Sequence, residues 1–204
     1  MDSLESLTEF VADLPGEEGR LMRCMSKAHG VMDRDIAQGL EEQIERRNNP
    51  LACQSGCAVC CQNRAIAILS SEIEAISWYV VNRVDGAAKE RLIERLKVQH
   101  NSRICPFVID DVCQIYPVRP LACRAVHIFG EPCMAGEDVL AKRPGDVWYP
   151  GIDTAKAVSM EVLSWYGIDD PEEKVKAFEA EFLIEKTGSM QDHDWGVLVA
   201  LMSK

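Results

Sequence analysis

The sequence lacks the features of several common classes of protein. It has 33 acidic and 22 basic residues, a net charge of −11, so most of its surface would repel a nucleic-acid backbone. No apolar run approaches the roughly 18 residues of a membrane-spanning helix. The acidic start, Met1 to Glu5, does not resemble a signal peptide. We therefore expect a cytoplasmic protein that binds neither nucleic acid nor membrane.

The usual motifs of catalysis are also missing. The sequence contains no Ser/His/Asp arrangement, no glycine-rich phosphate loop and no HExxH pair of zinc-binding histidines. The sequence therefore leaves open whether the protein is an enzyme. It also leaves any protein partner unknown.

What is present predicts a mainly α fold. Apolar residues recur every three or four positions from Leu21 to Ile44, and Pro50 follows, which indicates one face of a long helix that ends before the proline. Only Ala65 to Leu69 could form a strand. Capping and breaking residues predict further helices, namely Ser71 (with a capping box to Glu74) to about Asn82, Ala87 to about Gln99, Thr154 to Gly167, Asp170 to Gly188, and a short helix after Asp192 or Asp194.

The cysteines divide the chain into three regions that we expect to form one compact domain. Residues 1–49 are an N-terminal helical arm, residues 50–150 a cysteine-cluster metal-binding region, and residues 151–204 a C-terminal helical cap. Residues 101–149 are rich in proline and glycine, so regular structure there should be short. An irregular segment of this length needs something other than helix packing to hold it, and metal ligation would do so.

Nine cysteines in a reducing compartment indicate metal or redox chemistry rather than disulfides. A short C-x3-C-x2-C-C loop lets several sulfurs face one point, as a tetrahedral thiolate site or a cubane cluster requires. Cys24 flanks the apolar helical stripe, and we interpret it as a buried apolar residue. The predicted metal ligands are the other eight cysteines, which are Cys53, Cys57, Cys60, Cys61, Cys105, Cys113, Cys123 and Cys133.

Spacing leaves the number of metal sites open. The adjacent Cys60 and Cys61 cannot easily reach one tetrahedral ion, so either they serve different metals or one is not a ligand. Eight thiolates could fill two zinc sites, or hold one [4Fe–4S] cluster and leave four thiols for a second site. His127 is a further possible ligand. Cations near the thiolates would lower their pKa values, and the candidates are Arg64, Arg119 and Arg124.

The cysteine-rich stretch resembles a known family. The C-x3-C-x2-C-C group, Cys105-Pro106-Phe107, Cys113-Gln114-Ile115-Tyr116 and Arg119-Pro120-Leu121-Ala122-Cys123-Arg124 are together similar to the YkgJ-like cysteine-cluster family, over about residues 50–135. The resemblance implies a zinc- or iron-chelating domain, one often labelled as containing an iron–sulfur cluster.

The leading hypothesis is a helical metalloprotein whose cysteines bind an iron–sulfur cluster or zinc. Cys105-Pro106 is similar to the Cys-Pro of bacterial ferredoxins, which favours iron–sulfur, although cysteine-only zinc sites are common. A metal-dependent or radical-type modifying enzyme is an alternative, but the repeated strand–helix units of radical enzymes are not predicted. A metal chaperone or store is another.

Overall fold

A computed structural model describes Val11 and residues 13–54, 56–98 and 103–203. In these residues the fold is mainly helical, and the strands form short antiparallel pairs. The mainly α fold with a cysteine-rich centre, expected from the sequence, is confirmed. No helix in this part of the chain is long and apolar enough to cross a membrane.

The longest element is helix α1 (Gly16–Arg47), which carries the predicted apolar stripe. Two acidic residues in its first turn and two arginines in its last turn complement the helix dipole. The helix ends at Asn48, which adopts the left-handed conformation with φ 51°. Asparagine tolerates this conformation better than most residues do, so the predicted end of the helix is confirmed.

Helix α7 (Ile152–Leu163) packs against α1 through small and branched side chains. The shared apolar contact consists of Ala28, Met32, Ile36, Val158 and Val162. Beside it, Thr154 Oγ1 donates a hydrogen bond to Asp35 Oδ2 at 2.7 Å. The prediction that Thr154 opens this helix is wrong, because its side chain is bonded to α1 instead.

A larger apolar cluster, called here the main core, joins α1 to helices α3 (Ser70–Arg83), α4 (Gly86–Lys97) and α9 (Val197–Met202). Phe107 and Trp195 meet at its centre edge to face, with ring centroids 4.7 Å apart. The main core includes Leu21, Met22, Met25, Ile68, Ile76, Val80, Leu92, Leu96, Phe107, Ile115, Val118, Met190, Trp195, Leu198 and Met202.

Other predicted helix boundaries also differ from the structure. Glu72, not Glu74, accepts the capping bond at the start of α3, from Leu69 N, because the helix is capped at Leu69, two residues before the predicted cap Ser71. Helix α8 (Pro171–Glu179) is capped by Asp170 as predicted, but it ends early where Glu181 turns with φ 56°. Helix α9 begins at Val197, after the predicted aspartates. The predicted end of α4 at Gln99 lies outside the described residues.

The strands are short and pair antiparallel, in two cases between segments that are distant in the chain. Strand β1 (Ala67–Leu69), within the one predicted strand, pairs antiparallel with β6 (Thr187–Ser189) near the C-terminus. Within the irregular region, β2 (Val108–Ile109) pairs with β3 (Val112–Cys113). Strand β4 (His127–Ile128) pairs with β5 (Val147–Trp148). The remaining short elements are helices α2 (Val59–Asn63), α5 (Leu121–Ala125) and α6 (Val139–Lys142), and 3-10 turns Tyr116–Val118, Pro144–Asp146 and Ile184–Lys186.

Candidate metal centre

The first cysteine group lies on a loop and the short helix that follows it. Cys53 and Cys57 are on the loop, whereas Cys60 and Cys61 are consecutive residues of α2. Gly56 turns the loop with φ 81°, a conformation that other residues rarely adopt. Cys57 N donates to Gln54 O at 3.0 Å, and Cys61 N donates to Ala58 O at 3.0 Å. Two tight turns thus bring four thiols into a short stretch of chain.

Cys61 and Cys105 are joined through both backbone and side chain. Cys105 N donates to Cys61 O at 2.6 Å, and a hydrogen bond between the two thiols is the main reason that the pKa of Cys61 is raised to about 12. Cys105 is 4% exposed and belongs to the main core. Its Sγ lies 3.7 Å from Met190 Sδ, which is also buried. The main core therefore encloses this end of the thiol group.

Cys113 and Cys123 join the same side of the centre. Cys113 lies on β3, opposite Val108. Val108 follows Cys105 by three residues. Cys123 lies in α5, which begins after Pro120. Like Cys61, both are partly buried against the main core. Burial raises the pKa of Cys123, and nearby Cys61 and Cys113 raise it further. We call Cys61, Cys105, Cys113 and Cys123 the inner cysteines.

Cys53, Cys57 and Cys133, called here the outer cysteines, lie on the other side. Cys53 and Cys133 pack against the outer cluster, a separate small group of apolar residues, namely Ile128, Val139 and Val147. Ile128 N donates to Cys53 Sγ at 3.3 Å. Cys57 is exposed. Burial raises the pKa of Cys133, and nearby Cys57 and Cys53 raise it further, so these three thiols are neighbours.

Cys60 lies between the two groups. Its thiol is hydrogen-bonded to that of Cys61, which is the main reason that its pKa is raised. It is also close enough to Cys53 and to Cys123 to contribute to their raised pKa values, after the larger effect of burial. Cys60 is exposed. The two groups of thiols therefore adjoin at α2.

The thiols are close, but they do not converge on a point. Within the described ranges, no three Cys, His, Asp or Glu side chains are arranged to hold a metal ion. Burial and mutual proximity raise the pKa values of six of these thiols, namely those of Cys53, Cys60, Cys61, Cys113, Cys123 and Cys133. The donor set itself fits soft metal chemistry, because thiolates are the preferred ligands of zinc and of iron–sulfur clusters. Binding would require these thiols to release protons.

Arginines surround the thiols. Burial raises the pKa values of Cys53 and Cys113, and Arg119 opposes the increase at both sites. The Arg119 guanidinium lies over the Tyr116 ring, with its Cζ 4.3 Å from the ring centroid. Arg64 similarly lowers the pKa of Cys60 against the larger effects of the Cys61 hydrogen bond and burial. Arg119 and Arg64 thus supply positive charge at the centre, and Arg124 also lies near Cys113.

The third predicted arginine has mainly a structural role. Arg124 is 6% exposed, and its Nη1 donates to both oxygens of Asp33, at 2.9 and 2.8 Å. Its Nη2 donates to Pro117 O at 2.7 Å. A buried guanidinium with paired hydrogen bonds holds its partners in a fixed orientation. Arg124 therefore ties the Cys123 helix to α1 and to the preceding turn.

Sequence reasoning missed two charged residues beside the centre. Arg143 lowers the pKa of Cys133 against the effect of burial, and its guanidinium bonds Glu137, Asp146 and the carbonyl of Glu131. Glu72 Oε1 accepts from Leu121 N at 2.7 Å, at the start of α5. Glu72 acts on a backbone group 49 positions later, which leaves no local sequence signal. The Arg143 side chain bonds carboxylates only three and six positions away.

His127 and Cys24 take part in other contacts. The His127 ring packs against Trp148 with centroids 5.8 Å apart, and its Nδ1 lies 3.4 Å from Ala125 O. Cys24 is buried in α1, as predicted, and burial raises its pKa. The contacts of both residues are those of packed side chains.

Comparison with known families identifies the cysteine-rich segment. Residues 52–141 match the model of the CxxCxxCC family, described as a "putative zinc- or iron-chelating domain". The cysteine-rich segment is similar to a CxxCxxCC domain. The resemblance found in the sequence is thereby confirmed, and with it the general assignment of this domain to metal chelation. Comparisons with curated proteins and with solved structures give no match to this chain.

Proposed function

We propose that this protein is a thiolate-ligated metalloprotein that binds an iron–sulfur cluster, with zinc as the second candidate. The observation that carries the proposal is the gathering of all eight clustered cysteines around α2, although they come from segments up to 80 positions apart in the chain, Cys53 to Cys133. Free buried thiols have no reason to collect in this way. An all-sulfur donor set is the one that both candidates prefer.

The surroundings of the sulfurs favour iron–sulfur over zinc. The inner cysteines lie against the main core with Met190 over Cys105, so water has little access to the sulfur of Cys105. A backbone N–H donates to the sulfur of Cys53. Solvent exclusion and hydrogen bonds to sulfur are the means by which proteins set the potential of a cluster. A bound cluster would supply one-electron transfer, whereas zinc would supply a rigid structural link.

The protein's own charged residues have a clear role in this proposal. Thiols with raised pKa values must lose protons when they bind metal, and the resulting thiolates carry an excess of negative charge. Arg119 lies near members of both cysteine groups, and Arg64 and Arg143 lie near Cys60 and Cys133. These guanidiniums would offset that charge.

Analysis of metal and sulfide tests the proposal. Protein purified without oxygen should contain iron and acid-labile sulfide at near-stoichiometric levels, with a broad visible absorption. A colourless protein with bound zinc would support the second candidate. Folded protein without metal, or X-ray absorption showing only oxygen and nitrogen ligands, would contradict both.

A metal chaperone or store is a further candidate, favoured by the exposure of Cys57 and Cys60. Exposed thiolates can pass a metal to an incoming ligand. A chaperone would release its metal to a competing chelator within minutes, without unfolding. A resident cofactor would be retained until the fold opens.

A further inference from the structure

We propose that the eight cysteines form two separate four-sulfur sites. The inner site consists of Cys61, Cys105, Cys113 and Cys123, and the outer site of Cys53, Cys57, Cys60 and Cys133. This inference rests on the proposed metal binding and extends it, because the spacing of the cysteines allowed either one site or two.

The first argument is that the cysteines pack against different apolar clusters. All four inner cysteines contact the main core. Cys53 and Cys133 contact the outer cluster, which contains none of the main-core residues. A set of ligands supported by one cluster moves as a unit, so each cluster can orient its own sulfurs. A single site would have to draw its ligands from both supports.

The second argument is the backbone bonding within each set. In the inner set, Cys105 is bonded to Cys61, and the strand pair β2–β3 sets Cys113 beside them through the bond from Gln114 N to Phe107 O at 2.9 Å. In the outer set, Ala52 N donates to Ile128 O at 2.8 Å and Ile128 N donates to Cys53 Sγ. The bonds of Cys105 thus stay within the inner set, and those of Cys53 lead to the outer cluster.

The vicinal pair is divided by helix geometry. Consecutive residues of an α-helix point about 100° apart. Cys61 is partly buried on the main core, whereas its neighbour Cys60 is exposed and lies near Cys53 as well as near Cys61, Cys113 and Cys123. The hydrogen bond between their thiols places the two sites side by side. With one member in each site, neither site needs both side chains of adjacent residues.

Charge is distributed in the same way. Arg143 lies near Cys133 in the outer site, and Arg124 lies near Cys113 in the inner site. Arg119 lies near members of both, Cys53 and Cys113. Four thiolates around one divalent ion leave a net charge of about −2 per site, which the arginines beside each site would partly offset.

Titration of the metal-free full chain with Co²⁺ under argon tests the division. Cobalt bound by four thiolates has intense visible and charge-transfer bands, whatever metal the protein holds in the cell. The unaltered protein should bind two equivalents with this spectrum. Cys133→Ser and Cys113→Ser should each leave one four-sulfur equivalent, and Cys24→Ser should leave both.

Two double variants provide the sharpest comparison. Cys60→Ser with Cys133→Ser removes two ligands of the same site, so one four-sulfur equivalent should survive. Cys60→Ser with Cys113→Ser removes one ligand from each site, so none should survive. Equal losses in these two variants would overturn the division. Absence of cobalt–thiolate bands in the unaltered protein would instead overturn metal binding itself.

A measurement without substitutions covers the case in which variants fail to fold. The unaltered protein loaded with ¹¹³Cd should give two resonances typical of four-sulfur coordination. A single resonance, or coupling between two cadmium nuclei through a shared sulfur, would overturn the separation of the sites.

Discussion

The helical scaffold and the cysteine-rich segment of this protein are held together in different ways. Helices α1 and α7 contact each other along continuous apolar faces. Residues 103–150, in contrast, contain strands of two residues, 3-10 turns and helices of four or five residues. The first region is stabilised by repetitive packing. The second has too little repeated apolar contact to define its own conformation.

The cysteine-rich segment itself has two parts that differ in how much apolar surface they bury. Its first part contributes Phe107, Ile115 and Val118 to the main core. Its second part has the outer cluster, which contains only three buried residues. Burial of a few side chains contributes about 1.5–3 kcal/mol each, against an ordering cost of 1–2 kcal/mol for every backbone residue. The difference teaches that the second part depends most on ligands.

The largest expected effect comes from removing metal. Structural zinc in small domains contributes on the order of 10 kcal/mol to folding. Chelation should abolish protection from hydrogen exchange in residues 127–149 first and in 103–126 next, while α1 and α7 keep theirs. Exchange measured by mass spectrometry with and without metal checks this. Equal protection of residues 103–150 in both states would mean that the cysteines are structural bystanders.

We expect a smaller loss of stability when the contact of Arg124 between the two regions is removed. Arg124→Met breaks the ion pair between the buried guanidinium and the half-exposed Asp33 carboxylate, and it leaves the carbonyl of Pro117 without its donor. It should therefore lower the free energy of unfolding by roughly 2–3 kcal/mol. Urea unfolding checks this.

The matched control is Arg91→Met, which breaks an exposed ion pair with Asp110. Exposed pairs contribute about 0–1 kcal/mol, so this variant should be close to the unaltered protein. Equal losses of unfolding free energy in the two variants would contradict the prediction that the contacts of Arg124 stabilise the fold more than an exposed ion pair does.

The smallest predicted change in stability concerns His29, which is buried in helix α1. Burial lowers the pKa of His29 well below its usual range, and nearby Arg124 and Arg119 lower it further. In the described residues neither ring nitrogen has a hydrogen-bond partner. The unfolded chain therefore binds a proton more readily, and the folded state loses stability as the pH falls through about 6.5.

Replacing His29 by Met should remove this loss. At pH 5 the metal-free variant should exceed metal-free unaltered protein in stability by about 2 kcal/mol, from 1.36 kcal/mol per pH unit. At pH 7.5 the two should differ little, because an unpaired buried polar group is replaced by an apolar one. Urea unfolding at both pH values checks the prediction, and parallel pH profiles would contradict it.

The sequence predicted those features that depend on local pattern. The stripe from Leu21 to Ile44 predicted α1, and Asp170-Pro171 predicted the start of α8, because periodicity and capping act within a few residues. The clustering of the cysteines was visible in their spacing. Helix ends such as that of α8 were less accessible, because the turn at Glu181 has no marker in the sequence.

The proposed division of the cysteines could not be predicted from the sequence. Cys60 and Cys61 differ only in what they face, and that depends on the main core and on Cys105, 44 positions later. Glu72 and Arg124 likewise act on α5 through groups far away in the chain. Tertiary contacts of this kind leave no local signal.

The pairing of β1 with β6 has a consequence for how this domain can be transferred between proteins. The family segment, residues 52–141, includes β1 but not β6, Met190, Asp33 or Trp195. Cut out alone, it would carry every predicted ligand, yet Cys105 would lose its cover and Arg124 its partner. The eight-cysteine segment is therefore not a portable module, and its neighbours on both sides belong to any functional fragment.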